Sequence, residues 1–308
     1  MIPLVYHSIY SELPLPPEHR YPIHKYRLLY QAIVHQQQNN PLWQRGFSFF
    51  QPTPLAIDEL KQTHHPDYVD ALISGSLPAA KMRRIGFPWS ECLITRTLTS
   101  AGGTCLTAEL AIKHEIALHL SGGYHHAHAD FGSGFCLFND LVLAAKRALN
   151  QPGIDRVLII DSDVHHGDGT ATLCDGNDDI ITLSFHCDKN FPARKPDSDI
   201  DIPFPRELDN VSFLSAFESV VSMAVNCYQP DLILYDAGVD IHCDDELGYF
   251  NISTEAILQR DRFMLQLAKQ KAVPIACVVG GGYRSQHQDL VPIHLQLFHA
   301  AMETQSVE

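Results

Sequence analysis

The sequence predicts a single α/β domain with a central, mostly parallel sheet flanked by helices, and three observations carry that prediction. Through the middle and end of the chain, short continuous apolar runs alternate with longer amphipathic ones, as in a sheet covered on both faces. Each apolar run is followed by glycines and polar residues, which is how strands end at the ligand-binding edge of open α/β folds. No repeat, low-complexity tract or long linker divides the 308 residues, so the expected domain is 1–308.

Taken in order, strands are expected at 116–120, 157–160, 180–185, 232–235 and 274–279, each a run of mainly β-branched or aliphatic residues. Helices are expected near 103–114, 139–149, 212–228, 254–271 and 290–302, where the apolar residues follow helical spacing. The proline-rich stretches 13–22 and 191–205 read as ordered surface loops.

Composition narrows the function. With 36 acidic and 22 basic residues the formal charge is −14, which argues against direct nucleic-acid binding. Such a surface favours a cationic substrate or partner, or simply keeps the protein soluble. No apolar run approaches the roughly 20 residues of a membrane span, and the first ten residues lack a signal-peptide pattern, so a cytoplasmic location is expected. The eight cysteines include no Cys-x-x-Cys pair and are expected to be reduced, mostly buried thiols.

Four groups of residues carry chemistry. Asp163-Val164-His165 follows the second predicted strand, and Asp240 follows the fourth. Two carboxylates and one imidazole suit a divalent transition metal, typically zinc, with a position left open for water. Without a cation, two carboxylates buried side by side would cost several kcal/mol. His125-His126 comes after a Gly-Gly turn, and Asp161 and Asp168 are placed to back the two imidazoles as in a general base and acid.

Gly280-Gly281-Gly282-Tyr283 allows close backbone approach and offers a hydroxyl to a developing oxyanion, although a packed Tyr after a structural turn is equally consistent. Gly132 to Asp140 reads as a glycine-rich loop feeding a helix, with Phe135 either lining a pocket or belonging to the core. His64-His65, before Pro66, is better explained structurally.

These motifs, in this order, resemble the zinc-dependent histone deacetylases and their bacterial relatives of the arginase–deacetylase fold: Gly-Gly-Tyr-His-His, Gly-Phe-Cys-Leu-Phe-Asn-Asp, Asp-Ser-Asp-Val-His-His-Gly-Asp-Gly-Thr, Asp-Ala-Gly-Val-Asp and Gly-Gly-Gly-Tyr. The match runs from about Tyr6 to Gln296, and the segment Arg83 to Trp89 with the short length looks most like the class IV branch.

The resemblance implies that Asp163, His165 and Asp240 hold zinc. It implies that His126 is the general base and then acid, that His125 assists electrostatically, and that Asp161 and Asp168 back them. Tyr283 would polarise the scissile carbonyl, Phe135 and Phe191 would wall a tunnel for an acyl-lysine stem, and Gly134 would accept a hydrogen bond from the substrate amide. Arg27 would stand at the foot of the pocket. A structural monovalent cation, usually potassium, would sit near Asp161, Asp163, His165, Ser184 and Phe185.

Pro88 stands about where many relatives carry a rim Asp that clamps a peptide backbone, which loosens the implication of a peptide substrate. The implied reaction is deacylation of an N-acyl primary amine, most simply acetyl-lysine of a protein. Acetylpolyamines or longer acyl-lysines are alternatives, and a non-catalytic acyl-lysine binder is a more remote one. A two-manganese ureohydrolase of the same fold needs an Asp-x-Asp, whereas Asp236 and Asp240 stand four apart.

Overall fold

Eight strands form one wholly parallel sheet in the computed structural model, which describes residues 1–305. They are β1 (Ile2–Val5), β2 (Phe47–Phe50), β3 (Ile116–His119), β4 (Val157–Asp161), β5 (Ile180–Cys187), β6 (Ile200–Phe204), β7 (Leu232–Asp236) and β8 (Ile275–Val278), in the spatial order β2-β1-β3-β8-β7-β4-β5-β6. The five strands expected from sequence are the five contiguous central ones, β3-β8-β7-β4-β5, and every residue in them is buried. Their unbroken apolar character follows from that position, because a central parallel strand meets helices on both faces.

Two groups of helices cover the sheet. Glu91–His114 packs against Asp140–Ala148, while Thr254–Lys271 packs against both Asn210–Tyr228 and Val291–Gln305. Asn210–Tyr228 has the length and mean hydropathy of a membrane span, but it buries Phe213, Phe217, Val221, Ala224 and Val225 along one face and exposes Glu218. That is the pattern of an amphipathic helix lying on a core.

The structure departs from expectation at the edges. Residues 200–204 form edge strand β6 rather than loop, and Pro203 is tolerated there because an edge strand leaves one side of its backbone unpaired. The helix expected from 103 begins at Glu91, capped by the Ser90 side chain on the Leu93 N–H. Its Thr- and Ser-rich first half has weak helix propensity and is held by burial of Arg96, Thr97 and Ser100. All eight cysteines are free, five of them buried, with Cys227 and Cys243 exposed.

Strand register aligns the functional ends. Asp161 at the end of β4 lies opposite Ser184 of β5 and Asp236 of β7, and Asp236 lies opposite Val278 of β8. The loops that leave these strands therefore open on one edge of the sheet.

Candidate active site

Asp163, His165 and Asp240 converge at that edge. His165 Nδ1 lies 2.9 Å from an Asp163 oxygen and 3.0 Å from an Asp240 oxygen, and all three residues are buried. The carboxylates also accept backbone N–H groups: Asp163 takes that of His165 on the same Oδ1 and that of Gly281 on Oδ2, and Asp240 takes that of Val164. A side chain at Gly281 would run into the Asp163 and Asp240 carboxylates, so the glycine is required by close approach.

The electrostatics show what the cluster lacks. Burial works against a charged His165, yet its hydrogen bonds to Asp163 and Asp240 and their charges raise it to about 10. Burial and the neighbouring Asp163 push Asp240 up to about 8. For the protein alone, a proton on His165 offsets the carboxylates; a divalent cation supplies that charge and releases the proton as it binds. Two carboxylates and one imidazole nitrogen within 4.8 Å of one another fit such an ion.

Beside this triad stand the tandem histidines. His125 Nδ1 meets Asp161 at 2.7 Å, His126 Nδ1 meets Asp168 at 2.6 Å, and the two Nε2 atoms are 3.0 Å apart. The rings cannot both carry a proton across that gap. Burial opposes charge on His125, but the Asp161 and Asp163 carboxylates outweigh it and raise His125 well above 6.5. Burial and the adjacent charged His125 lower His126 to about 3, which leaves it neutral with Nε2 able to accept a proton. Asp168 also bonds His128, which in turn meets Thr172.

A pocket of about 1100 Å³ leads to these groups. Its lining includes Gly134, Phe135, Phe191 and Tyr283 together with His126 and His165. Phe191 packs edge-on to His126 with ring centroids 4.8 Å apart, and Phe135 faces Tyr283 at 6.0 Å, so the two phenylalanines form different walls. Gly134 has φ of 52°, and a side chain there would meet His126 at 2.6 Å, which keeps the passage open. The Tyr283 backbone is held by Asp245, while its hydroxyl has no protein hydrogen-bond partner among the described residues. Phe135 thus both lines the pocket and packs on the core aromatics Tyr21 and Phe87.

Arg27 is not at the foot of the pocket. It is exposed and lines a separate depression with Tyr6, Tyr30 and Phe49. Lys25 is the cation that turns towards the site: it is buried, with Nζ 2.8 Å from the Gly280 carbonyl and 3.4 Å from that of Gly282, in the turn that precedes Tyr283. The two residues share the first turn of the helix Lys25–Asn39, and a two-residue step rotates a side chain by about 200°, so only one of them can face inward.

Pro88 lines a neighbouring depression outside the pocket. Of the expected monovalent-cation residues, Asp161 and Ser184 are register partners, and the Asp161 carboxylate accepts the Asp163 N–H. His64 is structural, since its nitrogens bridge the Asn139 N–H and the His128 carbonyl.

Four further buried residues surround the site, and sequence patterns assigned none of them a role. Arg260, buried, binds the carbonyls of Ala237 and Gly238 and pairs with Asp261, fixing the turn that carries Asp240. Asp140 accepts the Gly123 and Tyr124 N–H groups and so sets the turn before His125. Arg96 bonds the Tyr21 and Tyr124 hydroxyls. Asp236 is wholly buried with neither oxygen hydrogen-bonded, and burial with the charges of Asp161 and Asp163 raises its carboxyl well above the usual range. Asp140 was within a motif already singled out; a lone buried Arg gives no sequence signal.

A wholly parallel α/β sheet with a candidate metal-ligand triad and two carboxylate-backed histidines at its carboxyl edge defines an α/β protein whose candidate metal site opens into a pocket. The chain belongs to the histone deacetylase family: the family model for the histone deacetylase domain matches residues 19–295. It is 41% identical to an uncharacterized protein of Picosynechococcus sp. over 98% of both chains. It is 33% identical to histone deacetylase 2 of Arabidopsis thaliana over 76% of this chain and 62% of that one. It is also 30% identical to the acetoin utilization protein AcuC of Staphylococcus aureus, over 75% of this chain and 65% of that one. The chain thus spans a little under two thirds of the length of these last two relatives.

Proposed function

We propose that this protein is a zinc-dependent deacylase that hydrolyses an N-acyl primary amine, most simply acetyl-lysine, with a cytoplasmic location. The observation that carries the reading is the placement of His126, its Nδ1 backed by Asp168 and its Nε2 3.0 Å from that of His125, on the wall of a pocket that also exposes His165 of the triad. When bound, a zinc ion held by Asp163, His165 and Asp240 would supply Lewis acidity to the acyl carbonyl and to water.

The protein's own groups do the rest. His126 Nε2 takes the proton of the attacking water, while Asp168 holds its Nδ1–H and stabilises the imidazolium that forms. The Tyr283 hydroxyl donates to the carbonyl oxygen as negative charge develops there. His126 then returns the proton to the leaving amine nitrogen as the C–N bond breaks. The walls of Phe135 and Phe191 shield a methylene stem from water, and the Gly134 carbonyl faces the amide. Potassium beside Asp161 and Ser184 would stiffen the ends of β4 and β5, and the segment Arg83 to Trp89 suits the class IV branch.

His126→Ala tests the assignment. Acetate release from an acetyl-lysine peptide is expected to fall about 100- to 10,000-fold, with the metal still bound. Undiminished release by the variant would remove His126 from the proton path.

A further inference from the structure

We propose that the mouth of the pocket is an anion subsite, so that the acylated amine it receives carries carboxylate groups beside the acylated stem. The proposal rests on the deacylase reading of the pocket and names its substrate class. The chain as a whole is acidic, 36 acidic residues to 22 basic, yet the charge at the mouth is reversed. Arg20, Arg84, Arg194 and Lys195 line it, against Glu246 at the rim and Asp168, which is occupied by His126 and His128.

The arginines come from three separate segments of the chain, Arg20 and Arg194 from loops and Arg84 from the last turn of the helix Ala79–Ile85, and line the same pocket. Arg20 follows His19, whose ring packs on Phe87 and Phe135. Arg84 lays its guanidinium over Phe131, 3.8 Å from the ring centroid, and Phe131 stacks on His128. Arg194 lies in the loop of Phe191, which Lys195 ties down through the carbonyls of Asp188, Asn190 and Pro192. Arg20, Arg84 and Arg194 are exposed, and among the described residues none is within ion-pair distance of a carboxylate. Glu246 is held by the Ser285 N–H and hydroxyl and feels the charges of Arg284 and Arg20, so it offsets part of the Arg20 charge while Arg84 and Arg194 stay outside ion-pair distance of any described carboxylate.

Three guanidiniums and Lys195 at one opening, with the single rim carboxylate of Glu246 against them, attract an anion and repel a cation, and low-dielectric walls focus that field. Arginine suits the task because its planar fork matches a carboxylate. Pro88, standing outside the pocket, adds no acidic clamp. The favoured substrates are therefore acyl-lysines flanked by Asp or Glu, or a small acyl-lysine whose own carboxylate is free. Acylated polyamines and acyl-lysines in basic segments are disfavoured.

The test uses zinc-loaded full-length protein and acetyl-lysine peptides with Asp, Gln or Arg flanks, plus Nα-capped Nε-acetyl-lysine as free acid and as amide. Turnover is followed by acetate release, and binding of fluorescently labelled peptides by anisotropy. We expect Asp-flanked peptides to exceed Arg-flanked ones about tenfold in kcat/KM and in affinity at low salt. The ratio should shrink towards one as the screening length falls from about 30 Å at 0.01 M to about 3 Å at 1 M. In the Arg84→Glu/Arg194→Glu variant the ratio should invert.

A free-acid preference over the amide assigns a small molecule; a preference confined to peptides assigns an acidic protein segment; either supports the subsite. A ratio at or below one in the unaltered protein, or one indifferent to salt, overturns it. If no substrate turns over but acidic peptides still bind more tightly, the deacylase reading fails and the subsite stands. Turnover without an acidic preference has the opposite meaning.

Discussion

Tyr283→Phe is expected to lower kcat for acetyl-lysine hydrolysis by roughly 100- to 1000-fold, the cost of removing one well-placed oxyanion donor. The substitution deletes one hydroxyl and keeps the ring that faces Phe135 at 6.0 Å and His165 at 6.1 Å. That hydroxyl has no competing acceptor among the described residues. Burial, reinforced by the Asp163 and Asp240 charges, raises Tyr283 well above 10, so it is a proton donor throughout the neutral range. Because the donor acts on charge that develops only as the carbonyl is attacked, the loss should fall on kcat, with KM and metal content little changed. Steady-state kinetics with metal analysis on one preparation measures both, and an unchanged kcat would exclude Tyr283 from the reaction.

Asp240→Asn has the other large effect. Asn keeps the size of Asp and an oxygen for the Val164 N–H, so the loop retains its shape. What disappears is one of the two carboxylate charges beside His165. Loss of a partner that merely orients a metal ligand already costs about 10- to 100-fold in affinity, and loss of a ligand's charge costs more. The variant should purify with little metal, show a native circular dichroism spectrum and release acetate more than 1000-fold more slowly, in proportion to its residual metal. A variant that kept one equivalent of metal and full turnover would remove Asp240 from the ligand set.

The centre of the fold was legible because its signal is local. Runs such as Val157 to Ile160 have only one comfortable place, inside a sheet covered on both faces, and the polar residues after them mark the functional edge. The margins were not. β1 contains Pro3, β2 at the sheet edge is only partly buried and lacks a continuous aliphatic run, and β6 contains Pro203. The missed first half of Glu91–His114 is helical through tertiary contacts, with Arg96 and Ser100 bonded to the Tyr21, Ser121 and Tyr124 hydroxyls.

The same division holds in the site. Asp163, His165 and Asp240, the two histidines and their carboxylates come together as the motifs led one to expect. Groups that act through another residue were invisible, since Arg260 grips carbonyls, which have no side-chain identity to read. Lys25 against Arg27 was a question of helix phase, which a matched motif cannot settle when two cations stand two apart. The charge reversal at the mouth is also absent from the sequence, because Arg20, Arg84 and Arg194 meet only in the fold.

The most direct test of metal-dependent amide hydrolysis by this one site is a zinc titration of metal-stripped protein, with acetate release from an acetyl-lysine peptide measured at each step. Activity should be absent at the start, rise linearly and level off at one zinc per chain. Full activity in the stripped protein, or a rise that continues to two equivalents, would contradict a single catalytic zinc held by Asp163, His165 and Asp240.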